Sequence, residues 1–328
     1  MTSVRIITNP HSIVNVASVP QRSPFRYPGG KTWLVPHVRH WLASLNRRPR
    51  VFVEPFAGGA ITGLTVAAEN LARQVVLGEL DEAVASVWQI ILGEDVDWLM
   101  RRILDFEISR ENVMAVLNQP ARSLKEIAFH TILRNRVQRG GILAPGASLV
   151  KQGENGRGVA SRWYPETLAR RISAIAQMRQ RISFVKGDGF RLIERYHRNT
   201  TAAFFVDPPY TAGGKKAGSR LYTHTEIDHE RLFALISQAL GPFMLTYDDA
   251  PEVRQLAGRF RLQVEAVPMK NTHHEVMHEL VITNIGSCLD LEGERRFAAA
   301  INRQFRDATS RRNIALASRG KTDSTPSA

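Results

Sequence analysis

The chain's 328 residues, 43% of them hydrophobic and 23% charged, suffice for a full core in one large domain with an insertion, or in two, which excludes a disordered protein. Forty-four Lys and Arg against 31 Asp and Glu leave a net charge of +13, a field that attracts polyanions and points to nucleic acid as partner. The single cysteine, Cys288, excludes an internal disulfide and a cysteine-rich metal site, and no apolar run of about 18 residues exists to span a membrane.

In chain order, residues 1–22 lack the basic start and apolar centre of a signal peptide and read as a flexible arm, so the expectation is a soluble, cytoplasmic protein without membrane contact. Five short apolar runs then each end in an acidic residue. They are Val51-Phe52-Val53 before Glu54, Val75-Val76-Leu77 before Glu79, Ile182 to Val185 before Asp188, Ala202 to Val206 before Asp207, and Phe243 to Tyr247 before Asp248. Such runs are those of strands buried on both faces. Helical patterns lie between them at Ala60 to Leu71, Glu82 to Leu92, Phe190 to His197 and Glu226 to Leu240. The alternation predicts an α/β fold, a mostly parallel Rossmann-like sheet with helices on both faces, and gathers the five carboxylates on the rim where such sheets bind ligands.

The catalytic domain is expected over 23–94 and 182–285. It is interrupted by a mainly helical inserted domain over 95–181, which carries the Gly-rich basic loop from Arg139-Gly140-Gly141 to Gly158. That loop reads either as a polyanion-binding segment or as a merely long surface loop. Arginine clusters at Arg47-Arg48-Pro49-Arg50, Arg134-Asn135-Arg136, Arg170-Arg171 and Arg311-Arg312 are each either solvated faces or phosphate contacts. Residues 286–316 read as a charged helix whose apolar side, with Phe297, Ala300, Ile301 and Phe305, asks for the protein body or a second subunit as cover; 317–328 has the composition of a disordered tail.

Three motifs carry chemistry. After the first strand, Glu54-Pro55-Phe56-Ala57-Gly58-Gly59-Ala60-Ile61-Thr62-Gly63 is a glycine turn opening a helix, with Glu79 placed to take ribose hydroxyls. Alanine at position 60 stands where a second glycine would admit a pyrophosphate. A ligand with ribose and no phosphates, such as S-adenosylmethionine, therefore fits better than a nicotinamide dinucleotide or a purely structural turn. Next, Asp207-Pro208-Pro209-Tyr210 ends the fully apolar strand. The prolines fix φ and aim a carboxylate, a carbonyl and an aromatic ring, as a pocket for a flat, amine-bearing base requires; the bland alternative is a solvated Asp at a Pro-Pro turn. Finally, His274-Glu275-Val276-Met277-His278 has the H-E-x-x-H form of zinc metallopeptidases. Residues four apart are about 6 Å apart on a helix, but about 13 Å apart on a strand. The β-branched run Leu280 to Thr283 favours a strand or hairpin arm after a loop holding Pro268, Asn271 and Thr272, so no metal site is expected.

On these residues the chain resembles the Dam-type DNA adenine N6-methyltransferases, in the group whose cofactor loop precedes the catalytic tetrapeptide. The likeness spans about 23–284. It rests on Phe25-Arg26-Tyr27-Pro28-Gly29-Gly30-Lys31, the Glu54 to Gly59 loop, Glu79-Leu80-Asp81, Gly187-Asp188 and Asp207 to Tyr210. The resemblance implies a bacterial or phage-encoded enzyme that transfers a methyl group from S-adenosylmethionine to N6 of a flipped-out adenine in double-stranded DNA. It implies Asp207, Pro208, Pro209 and Tyr210 as catalytic. Tyr27, Gly30, Lys31, Glu54, Phe56, Gly58, Glu79, Asp188 and Asp207 would form the cofactor site, with Tyr27 and Lys31 at the methionine end, Glu79 on the ribose and Asp188 on the adenine amine. Arg134, Arg136, Arg139, Lys151, Arg157, Lys215, Lys216 and Tyr222 would contact DNA. Asn135-Arg136 is followed by Val137-Gln138-Arg139-Gly140-Gly141 where relatives have Phe-Asn-Gly, so no target sequence carries over. A partner restriction endonuclease and a homodimer through the 286–316 helix are further expectations. An RNA or other amino-group methyltransferase is the rival of the same chemistry.

Overall fold

The computed structural model describes residues 13–26, 30–144, 146–209, 227–270 and 276–284. Seven strands form one sheet in the order β3-β2-β1-β4-β5-β7-β6: β1 Val51–Glu54, β2 Gln74–Glu79, β3 Ile182–Lys186, β4 Ala202–Val206, β5 Phe243–Asp248, β6 Gln263–Lys270 and β7 Val276–Thr283. Strands β1 to β5 are parallel, and β7 runs antiparallel between β5 and β6. All five apolar runs are therefore strands. Their direction puts Glu54, Glu79, Asp188, Asp207 and Asp248 at or just beyond one edge of the sheet.

Alternate strand residues serve opposite faces, as the period of two requires. On one face Phe52, Val75, Leu77, Ala203, Phe205, Met244 and Val281 pack against helices α1 Val35–Ser44, α2 Ile61–Ala68 and α3 Glu82–Leu92. On the other, Val53, Val76, Phe204, Val206, Leu245, Tyr247 and Ile282 pack against α8 Gly189–Tyr196 and the helices His229–Ile236 and Pro251–Arg259. A sheet covered on both sides needs no polar face, which is why its central strands read as continuous hydrophobic sequence.

Within 95–181 lie α4 Val96–Leu104, α5 Arg110–Leu117, α6 Leu124–Val137 and α7 Pro165–Ala176. Their Leu99, Phe129, Ile132 and Ile172 join the cluster that covers the first face of the sheet. Ser123 caps α6 by accepting from the Glu126 N–H, and the Glu126 carboxylate reaches back to the N–H of Arg122, so the sequence S-x-x-E starts the helix.

Three expectations change. Pro268 is not in a loop but in β6, which is tolerable because β6 is the last strand of the sheet and a missing N–H there breaks no inner ladder. Helices Val35–Ser44 and Pro251–Arg259 were not foreseen. The arm before residue 23 is anchored from residue 13 onward, with Val19 buried against Val35 and Ile61 and Arg22 paired to Glu69 at 3.2 Å. No helix among the described residues is long and apolar enough to cross a membrane. The helix expected over 286–316, the tail and Cys288 lie outside the described residues.

Candidate active site at the sheet's switch point

The strand order reverses between β1 and β4, which pair in register with Val53 opposite Phe204. Loops leaving two such strands diverge and leave a crevice at their carboxyl ends. The glycine turn leaves β1 there, and Asp207-Pro208-Pro209 leaves β4.

The glycine turn is built by its backbone. Ala57 donates to the Gly78 carbonyl at 2.8 Å, and Ala60 donates to the Ala57 carbonyl at 2.6 Å. Gly58 has φ +46° and Ala60 φ +50°, a left-handed pair that turns the chain sharply into α2; glycine adopts this freely and alanine at a cost. Trp88 Nε1 donates to the Gly58 carbonyl at 3.0 Å and pins the loop to α3. Phe56 is half-buried, edge-on to Phe190 at 6.3 Å.

Two carboxylates brace this loop differently. Glu54 is 3% exposed, and its Oε2 accepts from the Gly63 N–H at 2.7 Å. Burial, with Asp207 nearby, holds its carboxyl well above the usual carboxylate range. That enclosed position makes Glu54, which the resemblance assigns to the cofactor site, a brace behind the turn. Glu79 is only half-buried, and accepts from Gly58 N–H at 2.9 Å through Oε2 and from Asp81 N–H at 2.9 Å through Oε1. Desolvation raises it to about 7, against the pull of those backbone bonds. Its two oxygens offer about four acceptor positions, so these backbone bonds leave acceptor capacity for a hydroxyl donor. Asp188 caps α8, accepting from the Phe190 N–H at 3.0 Å. Beside Asp188, between β3 and α8, a basic concavity of about 420 Å³ carries Lys186, Arg191 and Arg195; Asp207 and Lys31 are not among its walls.

Asp207 is the half-open member of a buried charge cluster. Gly30 leads into a short helical turn at Lys31–Leu34, and Lys31, 4% exposed, extends its ammonium to Asp207 Oδ1 at 3.0 Å and to Glu279 Oε1 at 2.8 Å. Thr246 Oγ1 of β5 donates to the same Asp207 Oδ1 at 2.9 Å. Pro208 is buried and Pro209 half-buried behind it. Tyr247, whose hydroxyl lies 2.8 Å from His229 Nδ1, is pushed upward by burial and by the Asp207 charge. Sequence reasoning missed Glu279 and Thr246. Their signal was polarity at 246 inside the apolar run Phe243 to Tyr247, and at 279 directly before the apolar run Leu280 to Ile282.

The expected DNA-contacting arginines separate. Arg139, Lys151 and Arg157 are exposed on a loop of short 3₁₀ turns, and Arg134 is half-buried. Arg136 differs from its expected surface role. It is 5% exposed, donates to the Pro24 carbonyl, and is lowered to about 9 by burial first and then by Arg171, Arg26 and Arg162. It belongs to a clasp on the loop that precedes the Gly-Gly-Lys element. Arg171 Nη1 donates to the Ser23 carbonyl at 3.0 Å, while Asn135 accepts from Arg26 N–H at 2.8 Å and donates to the Arg26 carbonyl at 3.0 Å. Tyr27, Tyr210, Lys215, Lys216 and Tyr222 lie outside the described residues, as do His274 and Glu275. Of the H-E-x-x-H stretch, Val276, Met277 and His278 are strand, with His278 opposite Pro268 in the ladder. Among the described residues no cluster of His, Cys, Asp and Glu is suited to a metal ion.

No family model and no curated protein matches the chain. Similar solved structures include the rRNA methyltransferase aviRa from Streptomyces viridochromogenes, 12% identical over 85% of this chain and 96% of that one, with a TM-score of 0.41. A putative RNA methyltransferase from Pyrococcus horikoshii is 10% identical over 79% and 84%, with a TM-score of 0.36. A putative class I S-adenosylmethionine-dependent methyltransferase from Listeria monocytogenes is 8% identical over 89% and 73%, with a TM-score of 0.34.

Proposed function

We propose that this chain is an S-adenosylmethionine-dependent methyltransferase acting on N6 of an adenine flipped out of double-stranded DNA. The observation that carries the reading is Asp207, whose carboxylate stands beyond β4 with Oδ1 fixed by Lys31 and Thr246. The adjoining β1 loop offers a glycine turn, and the end of β2 a partly filled carboxyl, Glu79.

The residues present fit the cofactor. Glu79 keeps acceptor capacity for a ribose hydroxyl, Gly58 lets the backbone approach, Phe56 supplies an apolar face, and Asp188 stands at the end of the next strand for an amine. When bound, S-adenosylmethionine supplies the methyl group on a sulfonium centre. Asp207 Oδ2 and the Pro208 carbonyl accept the two N–H bonds of the target amine, which turns its nitrogen lone pair out of the ring's conjugation and toward the cofactor loop. Tyr210 gives the extruded ring a stacking face, offsetting part of the few kcal/mol that flipping costs. Rate enhancement then comes from orientation and from polarising the amine, with no covalent enzyme intermediate.

The +13 charge and the exposed Arg139, Lys151 and Arg157 suit a polyanionic substrate. Expression in a host lacking adenine methylation, followed by nucleoside analysis of its DNA and RNA, tests the reading. N6-methyladenine in DNA at defined sites supports it, and methylation confined to RNA would reassign the substrate while keeping the chemistry.

A further inference from the structure

The Lys31 cluster is graded in depth. The Lys31 and Glu279 side chains are 4% and 5% exposed, whereas that of Asp207 is 23% exposed. Glu279 reaches the rim because β7 runs against the parallel strands and is paired with Asp248 at the end of β5. One ammonium thus stands between an enclosed carboxylate and a half-open one. Both described donors to Asp207, Lys31 and Thr246, converge on Oδ1.

From this arrangement we propose that Glu279 is a positioning residue that acts through Lys31. It holds the ammonium at Asp207 Oδ1 and draws off part of its positive charge, so that Asp207 Oδ2 stays a strong acceptor for the substrate amine. The proposal rests on the reading that Asp207 meets that amine. With Lys31 facing Asp207 alone, the pair would be neutral and its carboxylate a weaker acceptor; a second carboxylate on the same ammonium restores the excess negative charge. The groups facing Asp207 are Lys31 from the turn, Thr246 and Tyr247 from β5, and Glu54 from β1, with Glu279 of β7 one step behind Lys31. Glu279 supplies the enclosed negative charge paired directly to Lys31.

The test is a carboxyl-carbon NMR titration of Asp207 in the full chain, its signal identified by loss in Asp207→Asn, compared between wild type and Glu279→Gln. Glutamine keeps the size and an acceptor for Lys31 but removes the charge. The Asp207 midpoint is expected to fall by about one pH unit, as it does when an opposite charge loses its competitor. In methyl-transfer assays the same variant is expected to lose about tenfold in kcat with the cofactor KM within about twofold. Glu279→Asp, which keeps the charge, should bring the midpoint most of the way back. An unchanged midpoint in a folded Glu279→Gln protein overturns the proposal. If Glu279→Gln does not fold, Glu279→Asp is compared with wild type, and a midpoint lowered through its longer reach to Lys31 supports the linkage while an identical one overturns it. The titration is read on the free protein. A wild type that transfers no methyl group therefore counts against the proposed function and leaves the linkage to be decided by the midpoint.

Discussion

Lys31 and Arg136 are buried to the same degree, at 4% and 5% exposure, in opposite company. Lys31 lies between two carboxylates. Arg136 meets a carbonyl oxygen, has a buried Nε with no partner among the described residues, and is surrounded by Arg26, Arg162 and Arg171. Burial disfavours charge in both, but only Lys31 has opposite charge against it; Arg136 is pushed down to about 9. One cation ties two carboxylates together at the rim of the sheet, while the other fastens a loop. The two are linked, since the clasp formed by Asn135, Arg136 and Arg171 holds Ser23 to Arg26, a few residues before Lys31.

The comparison sets the order of expected losses. Lys31→Met should be the most damaging, at about 3–5 kcal/mol, because it strands two carboxylates at the rim. Denaturant unfolding measures it, and a loss under about 1 kcal/mol would mean that the cluster contributes little to folding. Gly63→Ala should cost about 1–3 kcal/mol by overpacking. Its new methyl would meet the Glu54 carboxylate and lie 2.7 Å from Leu77 Cδ2, so the glycine turn and α2 must shift. Arg136→Met should cost only about 1 kcal/mol, since the bond lost at Pro24 is partly offset by relief among like charges. Equal losses at Lys31 and Arg136 would erase the distinction between them.

A separate effect is read by pH. Glu79 is an acid raised from 4.5 to about 7 in the folded chain. The folded state therefore keeps a proton that the unfolded chain loses near 4.5, and the stability this gives is present below that pH and lost as pH rises through about 7. Thermal melts from pH 5 to pH 8 should show wild type losing ground to Glu79→Gln. Cofactor affinity should move the other way, strengthening in wild type as the carboxylate ionises and staying flat in the variant.

Most of the sheet was legible because its central strands are covered on both faces, leaving continuous apolar runs that end in acids. Strand β6 was not legible: an edge strand needs no such run, and Pro268 reads as a breaker unless its edge position is known. The glycine turn and the Asp-Pro-Pro element announced themselves locally. The partnership of Lys31 with Glu279 did not, because it joins residues about 250 positions apart, and strand periodicity gives a residue's face but not its neighbour across the sheet. Arg136 misled for a related reason. An arginine cluster in a basic insertion reads as surface until packing shows one of its members turned inward.

The most direct test of the account is single-turnover transfer of labelled methyl groups from S-adenosylmethionine to adenine-containing duplex DNA by purified wild type and Asp207→Ala, with cofactor and DNA affinity measured on both. The account predicts N6-methyladenine with wild type. It also predicts a fall of at least about 10³-fold in the variant, with both affinities within a few-fold. Retained turnover in Asp207→Ala, or no cofactor binding by wild type, would contradict it.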